Sequence, residues 1–371
     1  MNEPVHLYPL RLIPLAVEKI WGGQKLRSLL VGQAPAGEAA IGELWAIWER
    51  LVVSNGPWQG RTLREIVDQH PHAILGTAPR GGGSTSFPLL VKLIDAHDTL
   101  SVQVHPDDEY ARARENQPFG KTEMWYILEA EPGARIIHGV KRHLEREELR
   151  LAIERNRLEE ELESVAVRKG DTVFLPAGTI HALGKGIMVY ELQQSSDLTY
   201  RLYDWGRTEG GVQRELHIEK SLDVARLDPT PFHKIRPLRL AGPGFDRVFL
   251  CACRYFAAEL LEAKGTIAQR TDGGFHILTA LDEGISIRYS PSSEQLAMGA
   301  LETVLIPAGL GEYRLEPAGD RMRAMKGYVP DLRRDVALPL LEAGAAPEDV
   351  AQLGGDPRFS DLSPIVGVEL H

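Results

Sequence analysis

Ser101-Val-Gln-Val-His-Pro106 decides the fold, because as a strand it places positions 101, 103 and 105 on one face and Val102 and Val104 on the other. A polar face of this kind turns either to solvent on a sandwich or to the interior of a barrel that binds something. The flanking sequence favours the second. Runs rich in apolar and β-branched residues at 89–94, 100–104 and 123–129 read as strands, and Glu131-Pro-Gly133 turns the last of them into 134–138 as a hairpin. Strand character returns at 173–175, crosses Pro176-Ala-Gly178, and continues through His181 and from 187 to 203.

Within these runs four residues stand out as one set. Glu123 opens a strand that is otherwise apolar, and His181 opens another directly after a turn. Neither means much alone, since an isolated histidine is more often a packing or surface residue. Together with Gln103 and His105 they make two imidazoles, one carboxylate and one amide oxygen on neighbouring strands, a facial donor set with positions left open for water or substrate. Zinc tolerates these donors, and two histidines with one carboxylate also suit Fe(II), Mn²⁺ or Co²⁺. The remaining histidines fall in no comparable set.

Composition bounds the rest. A chain of 371 residues accommodates about two domains. No segment approaches the ~18 apolar residues of a membrane span, and the first ten residues lack a basic stretch leading into an apolar run, so a cytoplasmic protein is expected. The two cysteines, Cys251 and Cys253, point the same way if they lie on a strand, a poor geometry for a disulfide. A formal charge of −10 without a basic cluster argues against nucleic acid. It does not argue against one small phosphate, which needs only a few local cations.

Elsewhere, Thr62 is placed to cap a short helix reaching about residue 70, Gly81-Gly-Gly-Ser84 reads as a linker, and 145–163 reads as one solvated helix. A helix at 217–225 and a proline-rich stretch at 228–243 mark a boundary. Short strands then recur at 256–261, 275–281, 285–289 and 303–306. Leu305-Ile-Pro-Ala-Gly309 echoes Phe174-Leu-Pro-Ala-Gly178, which suggests a second barrel without a counterpart of His181. The expected organisation is mainly β: a cupin-type, jelly-roll β-barrel with helical insertions over 1–240, a degenerate cupin-like barrel over 241–330, and an extension of unassigned role over 331–371.

Four stretches carry a resemblance: Phe87-Pro-Leu-Leu-Val-Lys92, Ser101-Val-Gln-Val-His-Pro-Asp-Asp-Glu-Tyr110, Gly120-Lys-Thr-Glu-Met-Trp125 and Pro176-Ala-Gly-Thr-Ile-His-Ala182. With Glu191 to Asp204 and Arg214 to Lys220, they closely resemble the type I phosphomannose isomerases in the order of the short bacterial members, over roughly residues 5 to 330. The resemblance implies a cupin fold, one zinc ion per chain, a sugar-phosphate substrate, and isomerisation of mannose 6-phosphate to fructose 6-phosphate. It places the metal on Gln103, His105, Glu123 and His181, and the family's essential arginine on Arg201. It places phosphate contacts on Lys92, Ser101 and Arg207. The pattern departs at Gly42-Glu-Leu-Trp-Ala-Ile-Trp48, where the family commonly has serines and a further glutamate.

Moving a proton between C1 and C2 of an open-chain sugar needs stabilisation of an enediolate oxygen and a proton carrier. Lys121, beside Glu123, and Asp197, four residues before Arg201, are the candidates for the carrier. Two other functions use a similar donor set: an Fe(II) cupin oxygenase and a non-catalytic sugar-phosphate sensor. Lys92, Ser101 and Arg201 speak against the oxygenase, which has no general need of a phosphate pocket. Intact ligands and proton carriers speak against the sensor.

Overall fold

Several strands are buried on both faces, and for that reason they carry no alternation in their sequence. The computed structural model describes residues 6–30, 39–77, 86–209, 211–289 and 294–368, so the glycine run at 81–84 lies outside the described residues. Two compact units form, one from 16–45 and 91–235, the other from 1–15, 46–90 and 236–371. The break near 236 falls close to the one expected at 240. The division differs from the expected linear one in giving 1–15, 46–90 and the 331–371 tail to the second unit. Pairing explains this: Leu10–Arg11 lies against Leu305 and Val304, and Gly76 bridges Gly274.

The first unit carries strands β1 (Leu15–Gly23), β2 (Ile41–Ile47), β3 (Leu89–Ala96), β4 (Val102–Val104), β5 (Glu123–Ala130) and β6 (Arg135–Val140). It continues with β7 (Leu162–Ala166), β8 (Thr172–Leu175), β9 (His181–Leu183), β10 (Ile187–Gln194) and β11 (Tyr200–Tyr203). They make an antiparallel six-stranded sheet, β1-β2-β3-β10-β5-β8, and a five-stranded sheet, β11-β4-β9-β6-β7. The two pack face to face over Ile94, Trp125, Ile127 and Val189 from the first and Ile136 and Leu183 from the second. The other face of the five-stranded sheet is covered by the helices Arg146–Glu154 and Ile218–Val224 through Val102, Val104, Leu149, Ile153 and Leu222.

The helix expected over 145–163 is shorter. It ends at Glu154, Asn156 takes a left-handed backbone (φ 55°), and after a turn at Leu158–Glu161 the chain enters β7. Helical spacing of Leu, Glu and Arg concealed that strand. Strand β2 was not anticipated at all, since every one of its seven residues is buried and its sequence shows no period of two. The short helix Leu63–Gln69 does form, with Thr62 and Glu65 in a reciprocal capping box.

The second unit repeats the two-sheet plan. One sheet orders Leu10–Arg11, Thr303–Ile306, His276–Ala280, Met322–Tyr328, Ala257–Ala263, Phe245–Ala252 and Leu238–Ala241; the other orders Ile267–Arg270, Glu312–Pro317, Ile285–Tyr289 and Glu294–Met298. Leu261, Leu278 and Ala324 meet Ile287 and Leu315 between them. The tail folds onto this unit: the Ala252 amide donates to the Leu353 carbonyl, and Arg254 pairs with Asp361.

Candidate metal centre

On β4, Gln103 lies opposite His181 of β9 on one side and opposite Arg201 of β11 on the other. Directly paired residues share a face, and His105 follows Gln103 by two, so Gln103, His105, His181 and Arg201 all project from one side of the five-stranded sheet. Glu123 comes from β5 of the facing sheet, opposite Gln193. Turn chemistry fixes the register of His181. Gly178 has φ 88°, its amide donates to the His105 carbonyl at 2.9 Å, and a Cβ at that glycine would meet the Val224 carbonyl oxygen at 2.8 Å.

The ligand atoms converge. His181 Nε2 lies 3.1 Å from Glu123 Oε1 and His105 Nε2 lies 3.6 Å from Glu123 Oε2, and all three residues are buried. Each imidazole is oriented from behind: His105 Nδ1 is 2.8 Å from the Leu198 carbonyl and His181 Nδ1 is 2.8 Å from the Thr179 carbonyl. A carbonyl only accepts, so Nδ1 carries the proton in both rings and each Nε2 presents a lone pair to the centre. Burial, and then the Lys121 charge, push His105 down to about 3, which keeps that ring neutral. Burial alone would raise Glu123, but the Lys121 ammonium beside it holds it well below the usual carboxylate range.

Among the described residues, neither Glu123 oxygen nor His181 Nε2 has an aligned hydrogen-bond partner, although all three atoms are buried. Lone pairs facing one another in a dry interior repel unless a cation lies between them. Bonds of about 2.0–2.2 Å at tetrahedral angles separate ligand atoms by roughly 3.3–3.6 Å, close to the 3.1 and 3.6 Å separations seen here. The three side chains therefore fit a divalent metal. Gln103 is partly buried on the same face, where its amide oxygen can complete the set.

The cations divide into two groups. Lys121 Nζ stands 2.9 Å from Glu123 Oε2 and 3.1 Å from His105 Nε2, at the centre itself. Lys92 is buried on β3, 3.6 Å from Glu43 Oε2, 3.6 Å from Glu191 Oε1 and 3.9 Å from Asp197 Oδ1, with its ammonium over the Trp45 ring. Desolvation opposes the charge on Lys92, but the surrounding carboxylates outweigh it and raise its pKa. Asp197 is exposed beyond it. Arg201 donates to the Glu215 carbonyl at 2.8 Å from the edge strand, and Ser101 is buried immediately before β4.

Arg207 is engaged elsewhere, contrary to its expected phosphate contact. Its guanidinium donates to Asp204 and to the Thr99 carbonyl, and Arg214 binds the same carboxylate at 2.7 Å. Asp204 is buried and needs both. Arg207→Ala is expected to lower unfolding free energy by about 1–2 kcal/mol, since Arg214 remains, and to leave kcat/KM within about twofold. Denaturant titration and steady-state kinetics check it; a large rise in KM at unchanged stability would return Arg207 to substrate binding.

Two carboxylates were not singled out from the sequence as site residues. Glu191 accepts from Trp125 Nε1 at 2.8 Å, and burial, then the neighbouring Glu123 charge, push its pKa up. Glu43 accepts from Trp45 Nε1 at 2.7 Å, and although burial opposes it, Lys92 and Lys19 bring its pKa down to about 2. The available signal was a lone acid within each otherwise apolar strand, Ile-Gly-Glu-Leu-Trp and Met-Val-Tyr-Glu-Leu.

Comparison with known proteins bears on the chain as a whole. The model of the type I phosphomannose isomerase catalytic domain matches residues 10–133. Mannose-6-phosphate isomerase ManA of Bacillus subtilis is 37% identical over 316 residues, 83% of this chain and 96% of its own. Mannose-6-phosphate isomerase of Streptococcus mutans is 35% identical over 314 residues, 83% of this chain and 95% of its own. The crystal structure of mannose 6-phosphate isomerase from Bacillus subtilis superposes with a TM-score of 0.77 at 30% identity, covering 86% of this chain and 99% of that one.

Proposed function

Because this chain belongs to the type I phosphomannose isomerase family, we propose that its first unit interconverts mannose 6-phosphate and fructose 6-phosphate with the help of a divalent metal, zinc being the first choice. The observation that carries the site assignment is the convergence of His105, Glu123 and His181 on one buried point, where Glu123 Oε1, Glu123 Oε2 and His181 Nε2 lack an aligned hydrogen-bond partner among the described residues. A metal bound there acts as a Lewis acid that polarises the sugar's carbonyl and hydroxyl oxygens. His105, Glu123 and His181 would hold it, with Gln103 available as a fourth ligand.

The chain's own groups do the rest. Lys121 sits within hydrogen-bond distance of the ligand atoms and is placed to pass a proton between substrate oxygens or carbons as the cis-enediol forms and collapses. Asp197, at the mouth beside Lys92, is the second proton carrier, for ring opening. Arg201, on the same face as Gln103 and His181, stabilises negative charge developing on the enediolate oxygen. Lys92 and Ser101 supply the phosphate contact. Lys92 is held charged by Glu43 and Glu191, so any attraction it offers a dianion is partly offset by those acids.

The direct experiment is conversion of mannose 6-phosphate to fructose 6-phosphate by purified protein before and after chelation. Activity is expected to fall below about 1% on metal removal and to return with zinc. Restoration by Mn²⁺, Co²⁺ or Fe(II) but not by zinc would overturn the zinc assignment, and activity that survives complete chelation would overturn the metal role.

A further inference from the structure

We propose that the second unit carries its own binding site for a small organic oxyanion, a phosphorylated or carboxylated compound, in a cavity floored by Lys326, Arg247 and Glu259. The cavity measures about 1000 Å³ and lies wholly within that unit. It is large enough for a molecule between a sugar phosphate and a nucleotide in size.

Its floor is built from one sheet. Glu259 pairs directly with Lys326 across the Ala257–Ala263 and Met322–Tyr328 strands, so both side chains project into the space between the sheets. Arg247 grips Glu259 with a two-pronged contact, Nε to Oε2 at 2.7 Å and Nη2 to Oε1 at 2.8 Å, and the Tyr328 hydroxyl donates to the same carboxylate. Better placed donors thus fill Glu259. Lys326, with three N–H groups, is left 3.5 Å from Oε2.

Counting charge gives the sign of the ligand. The floor holds two cations, the half-buried Arg247 and the buried Lys326, against one buried carboxylate, Glu259, a net of +1. His276 does not change that balance: its Nδ1 lies 2.7 Å from the Tyr313 hydroxyl, and burial, then the Lys326 charge, push it down to about 3. At the rim four arginines face four acids, as in Arg270 with Asp272 at 3.2 Å and Arg288 with Glu316 at 2.7 Å, so the rim supplies no counter-charge. A buried cation without its own anion is unfavourable, and an oxyanion entering the cavity would supply hydrogen bonds and charge together. The tail contributes Arg334, Asp335 and Pro339 to the cavity wall, which gives the segment after residue 331 a role.

The test is calorimetric titration of the full chain with inorganic phosphate and, separately, with citrate, repeated on Lys326→Met, on the exposed rim variant Arg314→Ala, and on Lys92→Met in the other unit. A binding step is expected that weakens at least about tenfold in Lys326→Met and about threefold in Arg314→Ala but persists in Lys92→Met. Which probe shows it assigns phosphate or carboxylate. Without ligand, Lys326→Met should melt no lower than the parent, because it removes an uncompensated buried charge; a merely structural ion pair would make it melt lower. No binding of either probe, or binding unchanged in Lys326→Met and lost in Lys92→Met, overturns the proposal.

Discussion

His181→Ala is expected to abolish metal retention and lower kcat by at least about 10³-fold, while the protein stays folded. The imidazole is one of two facing Glu123, and its Nε2 is 3.1 Å from Oε1 with no competing partner among the described residues. Alanine removes one of the two imidazoles and leaves His105, Glu123 and the weak amide donor Gln103, a set too poor to retain a divalent ion at ordinary concentrations. Folding should survive, because Thr179, whose carbonyl binds Nδ1, lies in a turn that Gly178 and the His105 carbonyl hold independently. Elemental analysis with single-turnover kinetics checks both halves. Full metal content with normal turnover would remove His181 from the site; full metal content with lost turnover would make it a substrate contact.

The grouping of the proposed ligands was legible because they follow strand periodicity. Gln103 lies on β4 and His105 follows it by two, just past the strand's end, Glu123 starts a second strand and His181 a third, and direct cross-strand pairing then brings Gln103, His181 and Arg201 into one row. Order along the chain and the spacing of turns carry that much. Charge partnership is not written in spacing. Lys92 is proposed as a phosphate contact, and its pairing with the carboxylates of Glu43 and Glu191, from strands on either side of β3 in the sheet, could not be read from the sequence. Arg207 misled for a related reason: a cation near a binding motif looks the same in sequence whether it faces substrate or closes a buried pair with Asp204.

Domain boundaries failed differently. A linear reading places a boundary where composition changes, and the proline-rich stretch at 228–243 supplied one close to residue 236. It cannot reveal that 46–90 leaves the first unit and later returns, because the contacts responsible join residues some two hundred apart, as in Gly76 with Gly274. The polar interior of the second unit was hidden likewise. Glu259, Arg247 and Lys326 lie in three separate strands, and only their register shows that one carboxylate serves two cations.

Lys121→Met is expected to lower kcat by about 10²- to 10⁴-fold with metal content unchanged or higher. The ammonium stands 2.9 Å from Glu123 Oε2 and 3.1 Å from His105 Nε2, so it repels any cation held by those atoms, and its removal cannot weaken metal binding electrostatically. Methionine fills a similar volume, which keeps the buried packing around the 4% exposed lysine intact. The loss of rate then isolates proton transfer from metal retention. Arg201→Ala gives the matching case for charge stabilisation, and Arg201→Lys should recover part of the rate if charge is what the edge strand supplies. Turnover undiminished in Lys121→Met would take it out of proton transfer, and metal lost together with activity would make it a structural counter-ion of Glu123.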